Sequence, residues 1–262
     1  MGCLFLYADK SRTAVVSSSG TLGELGVDRL ADPQPYHRMR LDGASANFTM
    51  DLGEVLQLDV FALVSTTLVA GSDIRVRVSD SDPTATGSLT YDSGTLAGVT
   101  DEKWLGQVVM IAPAAIAGRY VRWDLTVPSG NAIDVGLAPV GLSWRPTYNR
   151  SYGAQFGYQD YGTRDGNPRT GGVFGVEGPK SRLHNISFSS LDPDEIDGYV
   201  TEMDILVGVH GDILFVPTVD ATAIKRAQKS VWGGFSAVGQ PRVSTATNFR
   251  QHVRAYQIVE RL

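Results

Sequence analysis

Cysteine, charge and long hydrophobic runs are all scarce in this sequence of 262 residues. Cys3 is the only cysteine, which excludes an internal disulfide bond and any metal or cluster site built only from cysteines. Its apolar runs fall short of the roughly 18 to 20 residues that a membrane-spanning helix requires, so we expect no membrane insertion. The cysteine content is typical of a chain that folds in a reducing cytoplasm.

Basic charge is also in short supply. The chain has 23 basic and 28 acidic side chains, a formal net charge of −5. Residues 1–146 contain 11 basic and 16 acidic side chains, so they carry the whole excess, and residues 147–262 contain 12 of each. Nucleic-acid binding depends on a basic surface that neutralises phosphates. The sequence therefore predicts no nucleic-acid partner.

Signatures of catalysis are missing as well. The four histidines, His37, His184, His210 and His252, lack the short spacing of metal-ligand pairs. The chain has no GxSxG nucleophile motif and no glycine-rich phosphate loop. We therefore predict a protein that is not an enzyme and that has no metal site and no cofactor. A pair of converging carboxylates, as in glycosidases, stays open because it depends on distances in space.

The first half of the chain has the patterns of an antiparallel β-sandwich. Residues 74–78 alternate Ile74, Val76 and Val78 with two arginines, and residues 119–127 alternate in the same way. Such alternation is typical of a strand with one buried and one wet face. Turn-forming glycine, proline, aspartate and asparagine separate these segments. We predict a β-sandwich domain over residues 1–146.

The second half predicts a β-rich α+β domain over residues 147–262. Its one clear helix is expected at residues 192–207, where Asp192 is the N-cap, Pro193 follows, and apolar residues recur at steps of three and four. Strands are expected near residues 212–217, 229–238 and 250–261. The chain as a whole is therefore predicted to be mainly β.

Aromatic residues are the candidates for contacts with partners. A segment rich in glycine and tyrosine covers residues 148–178, and a structureless loop of that length is usually functional or interfacial. Alternatively, it forms two short hairpins. We predict that the interface residues are Tyr148, Tyr152, Tyr158, Tyr161, Trp232 and Phe235. Core filling is an equally good interpretation of these side chains.

A series of short motifs resembles a discoidin-type jelly roll, the fold of the C-terminal-like domains of coagulation factors 5 and 8. The series consists of LADP (30–33), ANFTMDLG (46–53), the apolar run 58–68, IRVRVSDS (74–81), YDSG (91–94) and GRYVRWDL (118–125). More narrowly, the chain is similar to versions of this domain in tail proteins of tailed bacteriophages and gene transfer agents. In the second half, WRP (144–146), NRSYG (149–153) and GDILFVP (211–217) are similar to the continuation in those proteins.

This resemblance implies a structural component of a phage tail tip or baseplate. Its partners would be other tail proteins and further copies of itself in a homo-oligomeric ring, and it would be found in the virion after assembly in the host cytoplasm. The alternative is a carbohydrate-binding module that recognises glycans of the host surface. For that alternative, the candidate loops are those near Tyr36, His37, Arg38 and Trp104.

Overall fold

The computed structural model of the protein describes residues 2–98, 106–128, 130–166, 169–237, 242–243 and 252–262. The chain is mainly β, which confirms the predicted fold class of an antiparallel β-sandwich followed by a β-rich α+β region. It divides into two compact units. Unit 1 comprises Met1–Pro146 and Ile213–Trp232, and unit 2 comprises Thr147–Asp212 and Gly233–Leu262.

The strands, in chain order, are β1 (Leu4–Leu6), β2 (Val15–Ser18), β3 (Met39–Leu41), β4 (Ser45–Leu63), β5 (Ser72–Ser79), β6 (Tyr91–Asp92), β7 (Leu96–Gly98), β8 (Val108–Thr126), β9 (Ile133–Val135), β10 (Val140–Gly141), β11 (Gln155–Asp160), β12 (Thr163–Gly166), β13 (Val173–Val176), β14 (Lys180–Leu191), β15 (Ile213–Val216), β16 (Val231–Phe235), β17 (Arg242–Val243) and β18 (His252–Glu260). The helices are α1 (Pro193–Glu195), α2 (Thr201–Leu206) and α3 (Ala223–Lys229). Short 3-10 helices lie at Ser11–Thr13 and Val27–Ala31.

The main sheet of unit 1 is antiparallel, with the strand order β10-β4-β8-β5-β6. Strand β2 pairs with β4, and β7 pairs with β5. The apolar side chains of β5 and β8 that alternate in the sequence, including Val76 and Trp123, are fully buried in one core. The two-stranded ribbon of β3 and β9 contributes Met39, Leu41 and Val135 to the same core. The predicted sandwich therefore has the main sheet on one side and this ribbon on the other.

The second half of β4 is buried on both faces. Phe61 and Leu63 enter the sandwich core, whereas Val60 and Ala62 belong to a second apolar cluster with residues of β1 and β15. Strand β1 pairs antiparallel with β15, with Leu4 opposite Val216. This pairing brings Ile213–Trp232 into unit 1. The structure therefore differs from the two contiguous domains predicted from the sequence, although one division does fall at residue 146.

Unit 2 is built around an antiparallel sheet in which β18 lies between β14 and β16. Strand β11 pairs with β14 and forms the other edge, and β17 pairs with β18. A separate hairpin joins β12 to β13. The segment 148–178 therefore contains one hairpin and an edge strand.

The predicted helix over residues 192–207 is present but interrupted. A π-helical turn, Ile196–Val200, separates α1 from α2. The backbone N–H of Asp192 donates to Glu195 Oε2 at 3.3 Å, which satisfies a group that the helix itself leaves open. Helix α3 was not predicted. It begins after Thr222, whose side chain accepts a hydrogen bond from the N–H of Lys225.

Candidate functional site

The loop of residues 32–38 joins the second 3-10 helix to β3 and carries the three described residues of the predicted glycan-binding set. Asp32 Oδ1 accepts a hydrogen bond from the N–H of Gln34 at 2.8 Å, and the N–H of His37 donates to the carbonyl of Gln34 at 3.1 Å. These bonds fold the loop tightly. Tyr36 is left 59% exposed at its surface.

Three other segments converge on this loop. Arg38 Nε donates to Ser65 Oγ at 2.9 Å, and the N–H of the next residue, Thr66, donates to the carbonyl of Gly106 at 2.8 Å. A Cβ atom at Gly136 would lie 2.1 Å from the carbonyl oxygen of Pro35, so only glycine permits this approach. We call residues 32–38, 64–67, 106 and 131–136 the unit 1 loop cluster.

Ser65 has an unusual backbone at the centre of the cluster. Its φ of 57° lies in the left-handed region, which residues other than glycine, asparagine and aspartate seldom adopt. The residue is buried, and it places its hydroxyl against Arg38. Conformations of this kind persist where the surrounding structure holds them, and they cluster at functional sites. The cluster thus provides a hydrogen-bond acceptor, the Ser65 hydroxyl, for Nε of Arg38.

The charges in the cluster are only partly compensated. His37 Nδ1 lies 2.5 Å from Asp32 Oδ2, and this hydrogen bond, followed by the one from Gln34, lowers the pKa of the Asp32 carboxyl. The ring of Tyr36 meets that of His37 edge-on, with 4.5 Å between their centroids. Arg38 has no carboxylate within ion-pair distance among the residues that the structure describes. One loop therefore carries an exposed aromatic ring in contact with a His–Asp pair, and an arginine without a carboxylate partner among the described residues.

The arrangement suits the binding of a polar ligand. Guanidinium and imidazole N–H groups donate hydrogen bonds, the carboxylate accepts them, and the exposed tyrosine supplies a flat apolar face. Within the described ranges, no group of three or more His, Cys, Asp or Glu residues could hold a metal ion. Trp104, the fourth predicted residue, lies outside the described residues.

The six predicted interface residues fall into two groups. Tyr148, Tyr152, Tyr158 and Tyr161 are exposed in unit 2, and Tyr152 is fully exposed. Trp232 and Phe235 are buried, at 1% and 3% exposure, so their side chains fill cores and offer no surface to a partner. Phe235 stacks on Tyr256 with 5.0 Å between ring centroids.

Two further features were missed or only partly anticipated from the sequence. The first is the pairing of Arg38 with Ser65, because no sequence signal marks a serine in the left-handed conformation. The second is the apolar exposed face of the hairpin of β12 and β13, whose strand residues are all exposed; hairpins in this segment were one of the two alternatives. This hairpin presents Val173, Phe174 and Val176 to solvent at 53%, 68% and 70% exposure.

Comparisons with known proteins concern the fold. No family model and no curated protein matches this chain. Among solved structures, a chitosan-binding module of a chitosanase/glucanase from Paenibacillus sp. IK-5 aligns with 52% of this chain and 98% of its own, at 17% identity and a TM-score of 0.43. A fucose-binding module from Streptococcus pneumoniae aligns with 52% of this chain and 98% of its own, at 14% identity and a TM-score of 0.39. The lectin-binding domain of Lectinolysin, complexed with Lewis b, aligns with 50% of this chain and 94% of its own, at 14% identity and a TM-score of 0.38. At these identities and TM-scores, the likenesses assign neither a family nor a ligand to the chain.

Among the residues that the structure describes, none of the helices is long and apolar enough to cross a bilayer.

Proposed function

We propose that the protein binds carbohydrate through the unit 1 loop cluster. The observation that carries this proposal is that one loop holds an exposed aromatic residue, Tyr36, and an arginine, Arg38, whose guanidinium donates to a buried serine and has no carboxylate partner in the described chain. Seven arginines of unit 1, by contrast, make ion pairs with aspartates: Arg12, Arg40, Arg75, Arg77, Arg119, Arg122 and Arg145. Arg38 is thus free to meet a ligand.

Glycans suit this chemistry. A sugar offers vicinal hydroxyls, which accept from a planar guanidinium fork and donate to a carboxylate such as Asp32, and its C–H face packs against an aromatic ring. Binding is favoured further when the protein groups are ordered before the ligand arrives, because less side-chain entropy is lost. Ser65 and the His37–Asp32 hydrogen bond provide that order.

The test is binding of the full chain to a glycan array, followed by calorimetric titration with the best ligand. Arg38→Ala and Tyr36→Ala should each weaken binding by about tenfold or more, since each removes a directly contacting group. Arg75→Ala is the matched control, because Arg75 is an exposed arginine of the same unit that pairs with Asp92. If both site variants bind as the wild type does, the loop cluster is not the site. We propose binding without cleavage, so incubation with the ligand should release no new reducing ends.

A second candidate function is a structural role in a bacteriophage tail tip or baseplate, with the protein located in the virion as part of a ring. The supporting observation is the exposed apolar side chains on β11 and β13 of unit 2, which include Tyr158 and Phe174. An isolated two-stranded hairpin is at best marginally stable in water, and exposed apolar patches mark contact sites. The segment 147–178 has three basic and three acidic residues, so it can meet a second copy of itself without net repulsion.

The mass of the full chain in solution tests this second candidate. Self-association that Val176→Ser weakens and Val15→Ser leaves intact would support it, because both valines are exposed and only Val176 belongs to the hairpin. A monomer at all accessible concentrations would argue against a ring of this chain alone.

A further inference from the structure

A groove in unit 2 crosses the face of the sheet formed by β14 and β18. Its described lining includes Gly153, Asn185, Ser187, Ser236, Ala255 and Gln257, and its volume is about 520 Å³. That volume is typical of ligand sites, which range from roughly 300 to 1,000 Å³. The groove exists because small residues occupy one row of the sheet: Ser187 lies opposite Ala255 in the register. We call it the unit 2 groove.

Amide side chains form the neighbouring row. Gln155, Asn185 and Gln257 are in register across β11, β14 and β18. Neighbouring strands are spaced at about 4.8 Å, so the row presents amides at regular intervals across the sheet. The intervening residues Ile186 and Tyr256 are buried on the opposite face. The amide row and the small row therefore point to the same side.

One of these amides has a fixed orientation. The hydroxyl of Ser236 donates to Gln257 Oε1 at 2.5 Å, and the N–H of Ser236 donates to the carbonyl of the same residue at 3.0 Å. With its oxygen engaged, the amide of Gln257 has its two N–H donors left for another acceptor. Gln257 is itself exposed, so that acceptor can come from solvent or from a ligand.

The lining chemistry selects the class of ligand. No charged side chain is among the described lining residues, so an ionic ligand would lose hydration here without gaining a counter-charge. Amides and hydroxyls both donate and accept, which matches a ligand whose hydroxyls do the same. An exposed tyrosine, Tyr152, lies next to Gly153 in the chain, and Ser151 before it is tied to the sheet by a hydrogen bond from its N–H to the carbonyl of Ser187 at 2.7 Å.

We propose that the unit 2 groove is a second ligand site, which takes a neutral polyhydroxylated ligand, that is, an uncharged oligosaccharide. This site is separate from the unit 1 loop cluster and does not depend on it. The two sites share no residue, and each can be disabled alone.

The experiment uses the full chain carrying Arg38→Ala, so that binding at the loop cluster is weakened. Neutral hexasaccharides of glucose, mannose, galactose and N-acetylglucosamine are titrated up to about 10 mM and followed by calorimetry. We expect at least one of them to bind. Gln257→Ala should weaken that binding by about tenfold, because it removes a fixed donor pair. Ala255→Phe should abolish it by filling the groove from an exposed strand position, where a β-forming aromatic residue is tolerated.

Gln159→Ala is the matched control. Gln159 is an exposed glutamine of β11 on the same side of the sheet as Gln155, and it does not line the groove. It should leave binding unchanged. Two results would overturn the proposal: no hexasaccharide binds, or binding is indifferent to both groove variants. If no saccharide binds and Ala255→Phe changes the oligomeric mass in solution, the face is a contact between protein chains instead. Because the loop cluster is tested through Arg38 in the otherwise native chain, failure here leaves that test intact.

Discussion

The solvent-facing sides of the sheets in the two units differ in the side chains they carry and in how these are hydrogen-bonded. In unit 1, the solvent-facing residues of β5 and β8 are charged, and they satisfy one another: Arg77 pairs with Asp124 at 2.6 Å, and Arg119 pairs with Asp51 at 2.7 Å. A cavity of about 300 Å³ on this face is lined in part by the ion-paired side chains of Arg75, Arg77 and Asp124. In unit 2, the corresponding face has uncharged amides whose hydrogen-bonding capacity is largely open. The two faces thus differ in how many of their polar side chains are already engaged within the protein.

The largest difference in stability is expected between a substitution in the core of unit 1 and one on the hairpin of unit 2. Trp123 is fully buried among apolar side chains of the sandwich, so Trp123→Ala should lower the free energy of unfolding by about 3–5 kcal/mol. Phe174→Ala on the exposed hairpin should change it by less than about 0.5 kcal/mol in the monomer. Urea denaturation measures both free-energy changes when it is monitored by a circular dichroism signal that does not depend on tryptophan. Equal losses would mean that the hairpin packs as a core element.

Ion pairs give the next contrast. Arg182 and Glu260 of unit 2 are both buried, at 3% and 5% side-chain exposure, and their carboxylate–guanidinium contact is short. Arg182→Met leaves Glu260 buried without its partner and should cost about 3–5 kcal/mol. Arg75→Met removes one side of an exposed pair with Asp92 and should cost only about 0–1 kcal/mol. Thermal or urea unfolding of the two variants side by side tests the difference, and a reversed order would contradict it.

The smallest effect concerns pH. The hydrogen bonds from Arg75 lower the pKa of Asp92 to about 2. A carboxyl whose pKa is lower in the folded state contributes stability that is fully present above the unfolded pKa of about 3.9 and is lost as pH falls through the folded value. Asp92→Asn should therefore be slightly less stable than the wild type at pH 7, and the two curves should converge as the pH approaches 2. A gap that stays constant from pH 7 to pH 2 would show that the Asp92 charge is not its source.

Much of the sandwich follows from sequence alone. The alternation in β5 and β8 predicts strands and their buried faces, since a strand with one wet face imposes a period of two. The apolar run in β4 carries less information. It is buried on both faces, and periodicity cannot say which distant segment covers the second face. Helix α3 was missed because seven residues are too few to establish a helical period.

The candidate sites, too, could be predicted only in part, because contacts between distant segments leave no pattern in the sequence. Tyr36, His37 and Arg38 stay predicted candidates; the rings of Tyr36 and His37 are in contact, and the support of Arg38 comes from Ser65, a residue far along the chain. Trp232 was misleading because flanking glycines are typical of an exposed loop. In the structure, Gly233 is needed for close strand pairing: a Cβ atom there would lie 1.9 Å from the carbonyl oxygen of Val259. The glycines therefore mark tight packing around a buried aromatic residue.

The pairing of β1 with β15 has a consequence for synthesis on the ribosome. Strand β1 leaves the exit tunnel about 200 residues before its partner β15, so the apolar side chains of Leu4, Leu6, Val60 and Ala62 stay uncovered while the intervening segments emerge. A nascent chain that stops after residue 146 lacks the strand that covers them. The nascent sandwich therefore exposes apolar side chains until β15 has been made. During that time, chaperones or neighbouring nascent chains compete with β15 for this surface.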